Sequence, residues 1–159
     1  MLTPRRILHP TDFSDHSDTA LDAACSIARG TDAEVMILHV VSPPASHGEV
    51  VARRQDDGFW DEMRDRLHQV RPKDPAIQVS YLLEEGRPAI VILDTARAYG
   101  CDLIVLGTYG RTGVCRALMG SVAEQVSRRA TCPVLTVKAA TPVPPTDAPA
   151  AGEVLGAAL

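Results

Sequence analysis

Two short runs, EVMILHVV from Glu34 to Val41 and CDLIVLG from Cys101 to Gly107, constrain this chain more than any other feature. Both are nearly continuous in apolar and β-branched residues. A strand with one wet face would alternate apolar with polar. Runs of this kind fit strands covered on both faces, the situation inside a parallel sheet flanked by helices.

The rest of the chain reads around these two strands. Arg6 to Pro10 is a short buried strand that ends at a turn. TDFSDHSD then offers Ser14 or Ser17 as a helix N-cap, with Asp15 and Asp18 suited to the first turn. Leu21, Cys25 and Ala28 share one helical face, and Gly30 supplies the stop. After the loop SPPASHG, the spacing of Phe59, Met63, Leu67 and Val70 predicts a second helix before the breaker RPKDP. Ala76 to Leu83 reads as the next strand. Gly86, Arg87 and Pro88 open a helix in which Pro88 takes the first position, where its missing N–H costs nothing. Ile92, Ala96 and Tyr99 form its inward stripe, and Gly100 ends it. Ser121 to Arg129 is helical, and CPVLTV, from Cys132 to Val137, is the final strand. Five strands alternating with four helices favour an α/β fold with a parallel sheet and right-handed crossovers.

With 159 residues, 45% of them hydrophobic, the chain can bury one ordinary α/β core and not two. Residues 1–138 read as that domain. Residues 139–159, rich in Pro and Ala, read as a disordered tail. A net charge of -4 supplies no basic field for nucleic acid or an anionic membrane, so neither is expected as a partner. The first residues lack the apolar core of a secretory signal, and no apolar run approaches the roughly 18 residues of a membrane span. The expected location is the cytoplasm. Cys25, Cys101, Cys115 and Cys132 form no CxxC pair, which argues against a zinc ribbon or redox dithiol. Cys25 and Cys101 read as small core residues, and Cys115 as a loop position. The five histidines show no HExxH spacing, and His9 and His39 read as satisfied core or strand-end residues.

The chemistry concentrates after the fourth strand. GTYGRTGVCRALMGS places Gly107, Gly110, Gly113 and Gly120 before a helical pattern, with Ser121 at its first turn. Glycine lets backbone N–H groups approach an anion, and a helix start favours negative charge. This is the outline of a phosphate cradle. Arg111 and Arg116 could pair with phosphate, although arginines beside a loop commonly stay solvated. No lysine follows the glycines as a P-loop requires, so efficient hydrolysis is not expected. No GxSxG elbow is present, and no GxGxxG follows the first strand, which argues against NAD or FAD.

These residues resemble the universal stress protein family, whose nucleotide-binding branch carries G-x2-G-x9-G-[ST]. Gly107, Gly110, Gly120 and Ser121 match that spacing. ILHPTDFS is similar to the family's first strand and turn, HVV to the end of its second, and GSVAEQVSRRATCPVLTV to its last helix and strand. Tyr109 stands where the family often has histidine, and Cys115 where it often has serine. The resemblance implies a doubly wound five-stranded parallel sheet, order 3-2-1-4-5, with helices on both faces. In such sheets ligands bind at the carboxyl ends of the strands where the order reverses.

The resemblance further implies a site for an adenine nucleotide, ATP or AMP. Pro10, Thr11, Asp12 and Val41 take the adenosine end, and Gly107, Gly110, Arg111, Gly113, Gly120, Ser121 and Val122 take the phosphates. Asp12 can accept from a base amino group or a ribose hydroxyl, or else simply bond its own turn. Val41 reads equally as an apolar base contact and as core. A magnesium ion could bridge phosphate oxygens and reach Asp12. Family members commonly dimerise through the last strand, here Cys132 to Val137. The expected function is a nucleotide-binding regulatory protein of the stress response. The alternatives are a slow metal-dependent ATPase using the same pocket and a nucleotide-free dimeric adaptor.

Overall fold

The computed structural model of the protein describes residues 3–43, 57–108 and 120–138. Strands and helices alternate along them: β1 Arg6–Pro10, α1 Asp15–Thr31, β2 Glu34–Val41, α2 Asp57–Gln69, β3 Val79–Glu85, α3 Pro88–Ala98, β4 Leu103–Gly107, α4 Ser121–Arg129 and β5 Val134–Val137. The five strands form one sheet in the order β3-β2-β1-β4-β5, and every pairing is parallel. The chain winds outward from β1 through β2 to β3, then returns to the other side of β1 for β4 and β5. The reversal therefore falls between β1 and β4.

Strand alternation sorts the core into two layers. Ile7, Val35, Ile37, Leu103 and Val105 point to the face covered by α1, with Leu67 of α2 joining them. Leu8, Met36, Leu38, Ile104 and Leu106 point to the opposite face, under Ala89, Ile92, Leu93 and Ala96 of α3 and Ala123 and Val126 of α4. Ile7, Leu8, Ile37, Leu38 and Ile104 are 0% exposed, so each contributes on the order of 2 kcal/mol through removal of its side chain from water. Ala20, Ala24 and Ala28 line the sheet-facing side of α1, and their small size lets that helix lie close to β1 and β4.

The sheet's amino-terminal edge is tied by polar side chains. Arg6 Nε donates to Glu34 Oε2 at 3.0 Å, and Ser80 Oγ donates to Glu34 Oε1 at 2.6 Å. The Ser80 hydroxyl, with Arg6 second, holds the Glu34 carboxyl below its usual range despite partial burial. Asp102 Oδ2 accepts from the Arg5 and Arg6 amides at 2.8 and 3.1 Å. These bonds leave the carboxyl edge as the open end of the sheet.

The structure moves several boundaries. Ser14, not Ser17, caps α1, and Ser17 lies buried inside the helix. Gly30 stays helical, and Asp32 takes the left-handed position at φ 56°, donating its amide to Ala28 O. Aspartate tolerates that conformation because its short polar side chain bonds locally. β3 runs from Val79 to Glu85 instead of Ala76 to Leu83, since Asp74 Oδ1 holds the Ala76 amide in a turn at 3.0 Å. β4 begins at Leu103, after Cys101 and Asp102, and β5 begins at Val134, after Cys132 and Pro133. Tyr99 is 43% exposed and caps α3 instead of facing inward. Cys25 and Cys101 are buried among apolar side chains. Cys115, Tyr109, Arg116 and the expected tail lie outside the described residues.

Candidate functional site

A crevice of about 600 Å³ opens at the carboxyl edge, over the reversal between β1 and β4. It falls within the range of small-molecule sites, roughly 300 to 1,000 Å³. Pro10, Thr11, Asp12, Val41, Gly107, Gly120, Ser121 and Val122, all expected at the site, line it together. Gly110, Arg111 and Gly113 lie outside the described residues.

The β1 side is built by a chain of local hydrogen bonds. The Thr11 amide donates to Leu38 O at 2.8 Å, which fixes the end of β1 against β2. Thr11 Oγ1 accepts from the Phe13 amide at 3.1 Å and from Ser17 Oγ at 2.9 Å. Asp12 Oδ1 accepts from the Ser14 amide at 3.1 Å and from Ser14 Oγ at 2.6 Å. Ser14 Oγ in turn accepts from the Ser17 amide at 3.3 Å, closing the N-terminus of α1. Asp12 thus serves its own turn with one oxygen, while Oδ2 takes no part in these bonds. The turn forces Phe13 to φ 63°, a conformation that costs a bulky residue on the order of 1 kcal/mol.

The β4 side is built differently. Gly107 sits against the first turn of α1, where a Cβ would come within 3.0 Å of His16 O. A Cβ there requires the first turn of α1 to give by a few tenths of an ångström. The Gly120 amide donates to Thr108 O at 2.7 Å, and the Thr108 amide donates to Val137 O at 2.9 Å. The two ends of the glycine segment are therefore pinned together beside β5. Gly120 caps α4, and among the described residues no side chain accepts from the amides of its first turn. Ser121, Val122 and Ala123 line the crevice at that start, where helix N–H groups and dipole favour an anion.

His9 ties the two strands that deliver these parts. It is 0% exposed, and its Nδ1–H donates to Val105 O at 3.0 Å, because a carbonyl can only accept. That sets Nε2 as a bare acceptor, and among the described residues it has no partner. The expected satisfied core histidine is thus satisfied at one nitrogen only. Burial depresses its pKa to about 4, against smaller opposing effects of the Val105 carbonyl and the Asp12 charge. His39 Nδ1 donates to Thr11 O at 2.8 Å, and its ring lies 4.2 Å from that of Phe13.

Sequence reasoning missed the wall given by α2. Phe59, Met63 and Arg66 reach the crevice, and the Arg66 guanidinium lies over the Phe13 ring at 4.4 Å. Phe59 and Met63 had the spacing of a core stripe, which carries no sign that the exposed end of the stripe overhangs a cavity. Pro88 and Ile92 of α3 close the opposite wall. Among the described residues, no three His, Cys, Asp or Glu side chains converge as a metal site, and no helix is long and apolar enough to cross a membrane.

Residues 3–138 match the Universal stress protein family. The chain belongs to that family. It is 37% identical over 144 residues to Universal stress protein MJ0531 of Methanocaldococcus jannaschii, covering 84% of this chain and 82% of the relative. The solved structure of universal stress protein UspA from Lactobacillus plantarum superposes with a TM-score of 0.69 at 31% identity, covering 83% of this chain and 96% of that one. A universal stress protein solved in complex with cAMP superposes with a TM-score of 0.58 at 26% identity, covering 86% and 98%. The five-stranded order and the helices on both faces are those of the family's doubly wound fold.

Proposed function

We propose that this universal stress protein binds an adenine nucleotide, ATP or AMP, in the crevice and acts as a regulatory stress-response protein. The observation that carries the reading is the start of α4, uncapped by any described side chain, facing the same crevice as Asp12 at the reversal of strand order. The anionic end of a nucleotide suits the α4 start, and the apolar walls suit its base. The complex of a structural neighbour with cAMP supports a nucleotide as the occupant.

In this reading Pro10, Thr11, Asp12 and Val41 hold the adenosine. The backbone of Gly107, Gly120 and Val122 and the hydroxyl of Ser121 hold the phosphates. Gly110, Arg111 and Gly113 join them on the strength of the motif alone. Asp12 Oδ2 is the acceptor left for a ribose hydroxyl or a base amino group. Magnesium would neutralise phosphate charge and is carried by the nucleotide rather than by a protein cage. No lysine clamp follows the glycines, so any hydrolysis is slow.

Residues 1–138 form the nucleotide-binding unit in this proposal, residues 139–159 stand outside it as a tail, and the protein works in the cytoplasm. It acts as a homodimer through its last strand: β5 ends the sheet, and Leu135 there is 38% exposed. Occupancy regulates by differing in affinity between two states of that assembly.

Denaturing the purified protein and identifying released nucleotide by mass spectrometry tests the reading. Adenine nucleotide in the supernatant, or a rise in melting temperature with ATP and magnesium, is expected. A preparation that is empty and also shows no thermal shift overturns it.

A further inference from the structure

Among the described residues two charged side chains line the crevice, Asp12 and Arg66, and only Asp12 has a role in the proposed nucleotide site. Arg66 stands on α2, a helix outside the glycine motif, and lines the crevice. Phe59, Met63 and Arg66 are spaced i, i+4, i+7, so one helical face presents an aromatic ring, a thioether and a guanidinium to the cavity. Six other basic residues, Arg6, Arg29, Arg64, Lys73, Arg97 and Arg128, are paired with carboxylates. Among the described residues Arg66 has no ion pair, as is true of Arg5, Arg71, Arg87, Arg129 and Lys138, but Arg66 lines the crevice and rests on the Phe13 ring.

That ring is itself held in place. The Thr11 hydroxyl accepts from the Phe13 amide, the Asp12 turn sets φ at 63°, and the His39 ring packs against Phe13 at 4.2 Å. Arg66 therefore lies on a platform fixed by the same turn that presents Asp12. A guanidinium is planar and weakly hydrated, and with one face on Phe13 it offers the other to a second flat, electron-rich ring. The place suited to an anion is elsewhere, at the start of α4.

We propose that the α2 face, with Arg66 as its stacking platform, recognises the nucleobase, and that Arg66 is a specificity-determining residue for the base and not a phosphate ligand. This rests on the nucleotide reading of the crevice. It makes base affinity depend on the shape of residue 66, and it leaves the phosphates to the β4 side.

Isothermal titration of the full chain with ATP, adenosine and inorganic tripolyphosphate separates the possibilities. Arg66→Lys keeps the charge and loses the plane, and Phe13→Leu keeps the packing and loses the platform. In both variants ATP and adenosine should bind about fivefold more weakly, with tripolyphosphate changed less than about twofold. Arg66 is exposed, so the unliganded melting temperature of Arg66→Lys should match the parent. Unchanged ATP and adenosine affinity in Arg66→Lys would falsify the inference while leaving the nucleotide reading intact. Weakened tripolyphosphate with unchanged adenosine also overturns it and makes Arg66 a phosphate ligand. A parent protein that binds neither ATP nor adenosine defeats the underlying reading itself.

Discussion

Two helices begin at the crevice, and they begin in opposite ways. The N-terminus of α1 is closed by its own side chains: Ser14 caps it, Asp12 holds Ser14, and Thr11 holds Ser17. The N-terminus of α4 starts at Gly120, and among the described residues it has no side-chain cap. A capped helix start has spent its donors on the protein. An uncapped one beside a cavity keeps them for a ligand, so the difference separates a structural turn from a binding surface. The two starts are coupled mechanically, since Gly107 at the end of β4 rests on His16 in the first turn of α1.

The largest test breaks the support beneath both. His9 on β1 donates to Val105 on β4, and burial lowers its pKa to about 4 from a reference near 6.5. Above the unfolded value both states are neutral, and the protein has its full stability. As pH falls from about 6.5 towards 4 the unfolded chain takes up a proton that the folded one refuses, so stability declines. The loss over that window is on the order of 3 kcal/mol. Urea denaturation at pH 7 and pH 5 should show a fall that His9→Asn, which keeps a donor for Val105, does not share. An equal fall in both proteins would mean that His9 is not the group responsible.

The next test forces the two starts apart. Gly107→Val places atoms against the His16 carbonyl and should cost about 2 kcal/mol in urea denaturation, with weaker nucleotide binding. Wild-type stability in that variant would show that α1 can retreat freely.

The smallest test addresses the contrast directly. Ser14→Ala should cost about 1 kcal/mol, because a cap and a partner of Asp12 are lost. Ser121→Ala should change stability by less than about 0.5 kcal/mol and weaken ATP about fivefold. If the two variants behave alike in denaturation, α4 is capped as α1 is and the contrast fails.

Legibility followed the range of the interactions. The strands, the alternation and the helix starts at Pro88 and Ser121 were readable, and that of α1 was narrowed to Ser14 or Ser17, because each depends on burial pattern or on contacts a few residues apart. The expected crevice residues within the described parts fell together because they sit at strand ends and helix starts, where sequence position and spatial position coincide. Edge features were harder to read. Tyr99 had the spacing of a core residue but lies beyond the sheet's cover, and β3 starts late because a side chain at Asp74 captures a backbone amide.

By itself the sequence determined that this chain would bury two continuous strands in a parallel sheet and place a glycine segment at the end of one of them. Hydrophobic period and backbone freedom are properties of neighbouring residues, so they are written in order along the chain. Tertiary structure alone decided that α2 overhangs the site, that Arg66 rests on Phe13, that Gly107 abuts His16 and that His9 bonds across to Val105. Those contacts join elements distant in sequence, and their partners are set by how helices settle on a twisted sheet.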